Sequence, residues 1–399
     1  MKRPTLPALP STARTTSRVV ALTSLLAVTA LSTTGCNGLI GGSAAGDDEG
    51  PIVLGMAVPM SGSSADTGPH MKNGAQLAVD EINAKGGVLG RKLRLQVEDD
   101  ACDPKTAVAA ANKLVAADAA VSVGGYCSGA TLPTLPIFGK RNIPMVIPAA
   151  NSNQLVGQHL KHVFLINGTG SQQAAAAVAW LGKDGAKKVA VMDDNTSYSK
   201  DIADLTWAKL GTAGAPAKAA QEAVNPGESD YSPNVTSVLK SAPDYIYWTG
   251  YYQEGGLLIR QFRQAGYKGK FLIGDGSVDP KLVDIAGAEH GEGVFATMTQ
   301  TPQTTPGAER WIAAYKKKFG TDPGPYSTQS YDAVRVAAEA VEKAGSTDGD
   351  KVTAALEDID GFRMFSGPLK FTPEHTLNNG GFVILTVKDG AFVLQDSLK

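Results

Sequence analysis

From residue 52 onward the chain repeats one unit: a short apolar run, a turn, an amphipathic helical stretch and another turn. Residues 52–59 form an apolar run that reads as a strand. Met71, Ala75, Ala78 and Ile82 then share one helical face, which Gly86-Gly87 ends. Leu93, Leu95 and Val97 alternate as a strand into Asp99-Asp100. Asp103 is suited to cap the next helix, with Pro104 at its first position and Val108, Ala111 and Val115 as its buried stripe. Residues 120–125 read as strand, 131–140 as helix, and 144–148 and 163–166 as strands. Strands that alternate with helices bury both kinds of apolar face in a parallel sheet covered on each side.

Asn167-Gly168-Thr169-Gly170 reads as a crossover, after which the pattern resumes. Helices are expected over 171–181, 201–210, 231–241 and 254–265, with strands at 188–193, 245–249 and 271–274. A strand at 294–297 turns the chain back, and helices at 308–319 and 330–343 rejoin the first part. Residues 382–387 and 391–395, separated by Lys388-Asp389-Gly390, form a terminal hairpin. A chain of 399 residues exceeds one ordinary core, so two lobes are expected. They echo each other in pattern only; no short repeat is visible.

The N-terminus carries an address. Lys2, Arg3, Arg14 and Arg18 precede an apolar stretch over 19–31, too short to span a bilayer as a helix. Leu31-Ser32-Thr33-Thr34-Gly35-Cys36 resembles a bacterial lipobox, whose cysteine is lipidated and becomes the new N-terminus. Thr33 stands where Leu, Val or Ile is usual, and an ordinary signal peptide cut nearby is the other reading. Residues 36–50, rich in Gly, Ala and acidic residues, read as a flexible tether. Loss of residues 1–35 removes four basic and no acidic residues, taking the net charge from −2 to −6. Such a balance argues against nucleic acid as partner.

Two turns carry the chemistry-bearing residues. Asp99-Asp100-Ala101-Cys102-Asp103-Pro104-Lys105 and Gly125-Tyr126-Cys127-Ser128-Gly129 each lie between an expected strand and an expected helix, at the sheet edge where open α/β folds bind ligands. Ser128 begins a helix, so its hydroxyl and nearby N–H groups suit a carboxylate; a plain capping serine is the alternative. Gly125-Tyr126-Cys127-Ser128-Gly129 also matches a G-x-C-x-G nucleophile elbow, with Asp275 and His290 or His375 following in the usual order. A cysteine hydrolase is therefore one reading, and a ligand cradle the other. Gly168-Thr169-Gly170 opens a dinucleotide fingerprint, but Gln173 occupies the third glycine position. His159 and His162 are three apart with no Cys or carboxylate cluster to complete a metal site; the end of a surface helix is their expected setting.

From about residue 52 to its C-terminus the chain resembles the periplasmic branched-chain amino acid (Leu/Ile/Val) binding proteins, type I substrate-binding lipoproteins of ABC transporters. The resemblance rests on residues 75–83 with Ala84-Lys85-Gly86-Gly87, on 99–105, on Cys127-Ser128 and on Ile147-Pro148-Ala149-Ala150, in that order and spacing. It implies an α/β fold of two doubly wound parallel-sheet lobes joined by a three-crossover hinge that closes on ligand. The lobes would comprise 51–168 with 299–370, and 169–298 with 371–399. By the same resemblance Cys102 and Cys127 form a disulfide, and a loop of this size adds about 3 kcal/mol on the chain-entropy model.

The resemblance also implies a ligand set. Ser128 would hold a carboxylate, with a backbone group of Ala149 and the side chain of Asn151, where the family often has threonine. Tyr198, Tyr251 and Asp275 would face the cleft from the second lobe. Asp275 would meet the ammonium, one methylene shorter than the glutamate common there; a turn aspartate between two glycines is the structural alternative. Tyr326 would close the side-chain pocket from the hinge. Thr67 stands where relatives commonly place an aromatic, which enlarges or polarises the pocket toward a larger or more polar amino acid. No cofactor, metal or catalysis is expected. The expected function is capture of a branched-chain or related small amino acid in the interlobe cleft, and the expected partners are that ligand, an ABC permease and, through lipid on Cys36, a membrane. The protein would be a monomer at the periplasmic or cell surface. A ligand-sensing module of the same fold, reporting to a membrane partner, is the alternative of a different class.

Overall fold

The computed structural model describes residues 50–299 and 301–398. The address segment, Cys36 and the tether up to residue 49 lie outside the described residues. Fourteen strands occur among the described residues. The first ten are β1 (Ile52–Val58), β2 (Leu93–Asp99), β3 (Ala119–Ser122), β4 (Met145–Ile147), β5 (Val163–Leu165), β6 (Lys188–Asp193), β7 (Ala217–Ala223), β8 (Tyr245–Trp248), β9 (Lys270–Ile273) and β10 (Phe295–Thr299). The last four are β11 (Asp360–Met364), β12 (Gly367–Lys370), β13 (Phe382–Lys388) and β14 (Ala391–Asp396).

Two sheets hold twelve of them. One runs β2-β1-β3-β4-β5 and is parallel throughout; the other runs β14-β13-β10-β9-β8-β6-β7. Its β7-β6-β8-β9-β10 portion has the same relative order as the first sheet, so the two halves share a winding that no repeat in the sequence advertises. The expected terminal hairpin forms and adds β13 antiparallel to β10 and β14 antiparallel to β13. All seven residues of β1 are buried, because helices cover both faces of its sheet. After β10 the chain returns to pack helix Ser327–Ala344 against helix Thr67–Ala84, then rejoins the second sheet through β13. With the passage after β5, that makes three crossings between the sheets.

Several expectations shift. The Asp103 cap forms, accepting from the N–H groups of Lys105 and Thr106 at 3.1 and 2.8 Å, but the buried stripe of helix Pro104–Ala116 is Ala107, Ala110, Ala111 and Leu114. Val108 and Val115 are only half-buried. The expected helix over 131–140 is broken into Ser128–Thr131, a 3-10 turn Leu132–Thr134 and Leu135–Gly139, because Pro133 and Pro136 remove donors. Helix Ser197–Lys209 starts four residues before expectation, capped by the Thr196 hydroxyl, which accepts from the Ser199 N–H at 3.2 Å. Strands β7, β11 and β12 and helix Gly349–Glu357 have no counterpart in the sequence reading. His162 is buried and contacts the Leu135 carbonyl at 2.9 Å rather than ending a surface helix; His159 is exposed.

Candidate functional site

In a 2-1-3-4-5 sheet the strand order reverses between the first and third strands, opening a crevice at their C-terminal ends. The turn after β3 enters that crevice through Gly124, where an added Cβ would lie 2.5 Å from the backbone N and O of Ala57. It delivers Tyr126, Cys127 and Ser128. Cys127 is disulfide-bonded to Cys102, with Cα atoms 5.4 Å apart. The Asp99 carboxylate accepts from the N–H groups of Met60, Ser61 and Ala101 at 2.9, 3.2 and 2.8 Å, tying the loop after β1 to the end of β2. Asp100 accepts from the Cys102 N–H at 2.8 Å; burial pushes its pKa up to about 6.

Ser128 is fully buried at the first position of its helix, with Cys127 as the cap. Its Oγ accepts from the N–H groups of Asn151 and Ser152 at 3.3 and 3.2 Å. Those N–H groups belong to the turn after β4, so the serine joins two adjacent turns. The Ala149 carbonyl accepts from Asn167 Nδ2 at 2.7 Å. Asn151 Nδ2 donates to Gln173 Oε1 at 2.8 Å and approaches Asp275 Oδ2 at 3.4 Å, while Asn151 Oδ1 is buried without a hydrogen-bond partner.

Asp275 opens a 3-10 turn after β9 and is 1% exposed. Tyr198 and Tyr326 donate their hydroxyls to its two oxygens at 2.6 and 2.8 Å, and the Gly276 N–H lies 3.1 Å from Oδ1. Burial drives the Asp275 pKa up, and the hydrogen bonds from Tyr198, Tyr326 and Gln173 oppose it. Every donor is neutral: among the described residues no lysine, arginine or histidine forms an ion pair with it. The flanking glycines have a steric purpose, since a Cβ on Gly274 or Gly276 would come within 2.8 Å of the Tyr198 ring or hydroxyl.

The rings complete the enclosure. Tyr251 caps helix Tyr252–Gln264 with its backbone; its ring is 5.1 Å from Tyr198 and 5.9 Å from Tyr126. Tyr326 lies edge-on to Tyr126 at 5.5 Å and has φ +59°, a left-handed conformation costly for a bulky residue. Thr67, 2% exposed at the start of its helix, lies beside the Tyr126 phenol, whose hydroxyl donates to the Gly276 carbonyl at 3.4 Å. Burial raises the pKa values of the Tyr126, Tyr198, Tyr251 and Tyr326 phenols, keeping them protonated as donors.

Ser128, Asn151, Tyr198, Tyr251, Asp275 and Tyr326 therefore converge, with Thr67 linked through Tyr126 and Ala149 through its turn. Two further residues join the cluster that the sequence does not single out. Tyr126 lies inside the cysteine motif, and Gln173, at the third-glycine position of the incomplete dinucleotide fingerprint, is fully buried and bridges Asn151 to Thr297 Oγ1, the latter at 3.0 Å. The elbow's groups are not brought together. Cys127 is bonded to Cys102, His375 stacks on Phe164 at 4.1 Å beside the Val163 carbonyl, and His290 pairs with Glu289.

A family model described as periplasmic binding protein matches residues 51–391. The Leu/Ile/Val-binding protein homolog 1 of Brucella abortus is 32% identical over 354 residues, covering 88% of this chain and 93% of that protein. The leucine-, isoleucine-, valine-, threonine-, and alanine-binding protein of Pseudomonas aeruginosa is 33% identical over 336 residues, covering 84% and 89%. Among solved structures, the leucine-binding protein LivK of Thermotoga maritima is 30% identical at a TM-score of 0.78, covering 86% of this chain and 97% of that one.

Proposed function

This chain belongs to the periplasmic binding protein family, and from that premise we propose that it is the extracytoplasmic solute-binding component of an ABC transporter, capturing a small amino acid between its two sheets. The observation that carries the reading is Asp275: a buried carboxylate whose donors are all neutral. A buried charge is costly until a counter-charge joins it, and a ligand ammonium supplies one. Opposite it, Ser128 and the start of its helix suit the ligand carboxylate. The Leu/Ile/Val names of the relatives agree with an α-amino acid as ligand.

The protein does no bond chemistry in this reading. Lobes of 51–168 with 299–370 and of 169–298 with 371–399 close on the ligand about the three crossings, and the closed form is what the permease meets. Sheet membership of the strands supports that division. Cys36 carries the lipid that holds the monomer at the membrane, on the periplasmic or cell-surface side. Calorimetry on ligand-stripped protein against the twenty amino acids and small carboxylates is the test. A saturable heat with an amino acid, and a matching rise in Tm, is expected. No heat from any of them overturns the reading.

A further inference from the structure

One buried amide in the cleft keeps an acceptor to spare, and the hydrogen bonds around it decide which atom that is. Asn151 is fully buried, and its Oδ1 has no hydrogen-bond partner. Its backbone carbonyl accepts at 2.7 Å from the N–H of Gly170, the first residue of helix Gly170–Lys183. Its Nδ2 donates to Gln173 Oε1 on that helix at 2.8 Å, and Gln173 Nε2 donates to Thr297 Oγ1 on β10 at 3.0 Å. The Thr297 hydroxyl places its single hydrogen on the Ile273 carbonyl at 3.3 Å. All three side chains are fully buried. The order of donors is fixed from both ends, because each end is a group that only accepts. The Ile273 carbonyl makes Thr297 a donor there and leaves its oxygen to receive Gln173 Nε2. At the other end Asp275 Oδ2 lies 3.4 Å from the Asn151 amide and requires Nδ2 on that side. Gln173 is seated against the same turn: a Cβ on Gly274 would lie 3.5 Å from its Nε2. With Nδ2 so held, the oxygen on the same carbon is what Asn151 has left for a ligand.

We propose that Gln173 and Thr297 are positioning residues for amine recognition, a relay from the second sheet that holds the Asn151 amide in one orientation and so makes the pocket select α-amino acids over α-keto acids. This deepens the amino-acid reading above and rests on it. Both residues act through Asn151. An ammonium beside Asp275 gives Asn151 Oδ1 the donor it lacks. An α-keto acid places an acceptor there instead, against Oδ1 and the carboxylate together, and none of the three supplies a hydrogen. Charge alone does not make this device, since Asp275 attracts any cation, whereas a fixed amide oxygen adds a second, directional acceptor at the same point. An amide free to turn over would offer Nδ2 to a keto oxygen, and part of the discrimination would be lost.

The test is calorimetry of the ligand-stripped full chain with alanine and pyruvate, leucine and α-ketoisocaproate, and phenylalanine and phenylpyruvate, the keto acids being read by displacement of the amino acid. Where another of the twenty amino acids binds more tightly, it and its α-keto acid make the pair. The amino acid of a bound pair should be preferred by roughly 100-fold or more, as for a buried charge given or denied its partner. Gln173→Met, close in length and volume but without polar groups, should shrink that preference about tenfold, the range of one buried hydrogen bond lost. Thr297→Val, which removes only the far end of the relay, should shrink it about threefold, and Thr297→Ser, which keeps the hydroxyl, should restore it. A residue that merely fills space would lower both affinities of a pair together and leave their ratio alone. A ratio unchanged in Gln173→Met therefore overturns the proposal and leaves the amino-acid reading standing. If that variant does not fold, an unchanged ratio in Thr297→Val does the same. A keto acid that binds the wild type as tightly as its amino acid overturns the proposal together with the ammonium role of Asp275. No binding of any amino acid overturns the amino-acid reading and the proposal at once.

Discussion

The two sheets present the same turns to the same cleft and fill them with opposite chemistry. After β3 and β4 come Ser128, Ala149 and Asn151: short side chains, backbone groups and a disulfide. After β8 and β9 come Tyr251 and Asp275, with Tyr198 from the helix that follows β6: large phenols around a carboxylate. The shared strand order fixes where turns emerge, not what they carry. Close approach is achieved on both sides by glycine, but for different reasons. Gly124 lets a turn pass over the backbone of Ala57, whereas Gly274 and Gly276 let a phenol ring lie against a turn. The first edge is held by covalent and backbone bonds, the second by phenols hydrogen-bonded to a buried carboxylate. Under the proposed function, a dipolar ligand between them would have one orientation that satisfies both.

The largest expected effect breaks the second edge. Asp275→Asn preserves the acceptor for one phenol but removes the charge, and should weaken binding of an amine-bearing ligand by roughly 100-fold or more, as for one-sided loss of a buried ion pair. The melting temperature of the unliganded variant should change little, relief of the buried charge offsetting the loss of an acceptor for one phenol. Calorimetry and thermal melts read the two halves of that statement. Unchanged affinity would remove Asp275 from the site.

Breaking the first edge should act the other way, on stability more than on affinity. Replacing both Cys102 and Cys127 by Ser opens a link between residues 25 apart and should cost about 3 kcal/mol in denaturant unfolding. Alkylation without reductant should leave Cys127 unlabelled; a labelled thiol would return the cysteine-nucleophile reading. Asp100 sharpens the same contrast through pH. Its folded pKa of about 6 lies above the unfolded value, so the native state holds its proton more tightly and is destabilised as pH rises through that window. Asp100→Asn should therefore be more stable than wild type at pH 8 by about 3 kcal/mol, with most of the difference gone near pH 4. A difference that persists at pH 4 would mean the gain is not electrostatic.

The alternation of strands and helices is legible because β1, β4 and β8 are buried on both faces and read as plain apolar runs. β7 was not, because Ala217-Lys218-Ala219-Ala220-Gln221-Glu222-Ala223 lies exposed at a sheet edge and is made of helix-forming residues. It is a strand because β6 offers it a parallel partner, a tertiary cause that local propensity does not record. The candidate site was legible where a residue type sits in a recognisable turn, as with Ser128 and Asp275. Gln173 was not, since a glutamine on an alanine-rich helix announces nothing until Asn151 and Thr297 are brought to its two ends.

The smallest expected effect is also the one that decides what the first edge is for. The Ser128 hydroxyl accepts from two N–H groups of the neighbouring turn at 3.3 and 3.2 Å, both long contacts, so each is weak, but both donors are buried. Ser128→Ala leaves them without that acceptor and should lower stability by about 1–2 kcal/mol, the cost of buried donors left unpaired. The hydroxyl hydrogen is not committed by those contacts and remains for a ligand carboxylate, so affinity should also fall, by roughly tenfold. The ratio of the two losses is the informative quantity. If stability falls and affinity hardly moves, the serine is a strut, and the N–H groups it positions hold the carboxylate. If affinity collapses while the melt is unchanged, the serine is a ligand contact first, and the division between a scaffolding edge and a receiving edge is wrong.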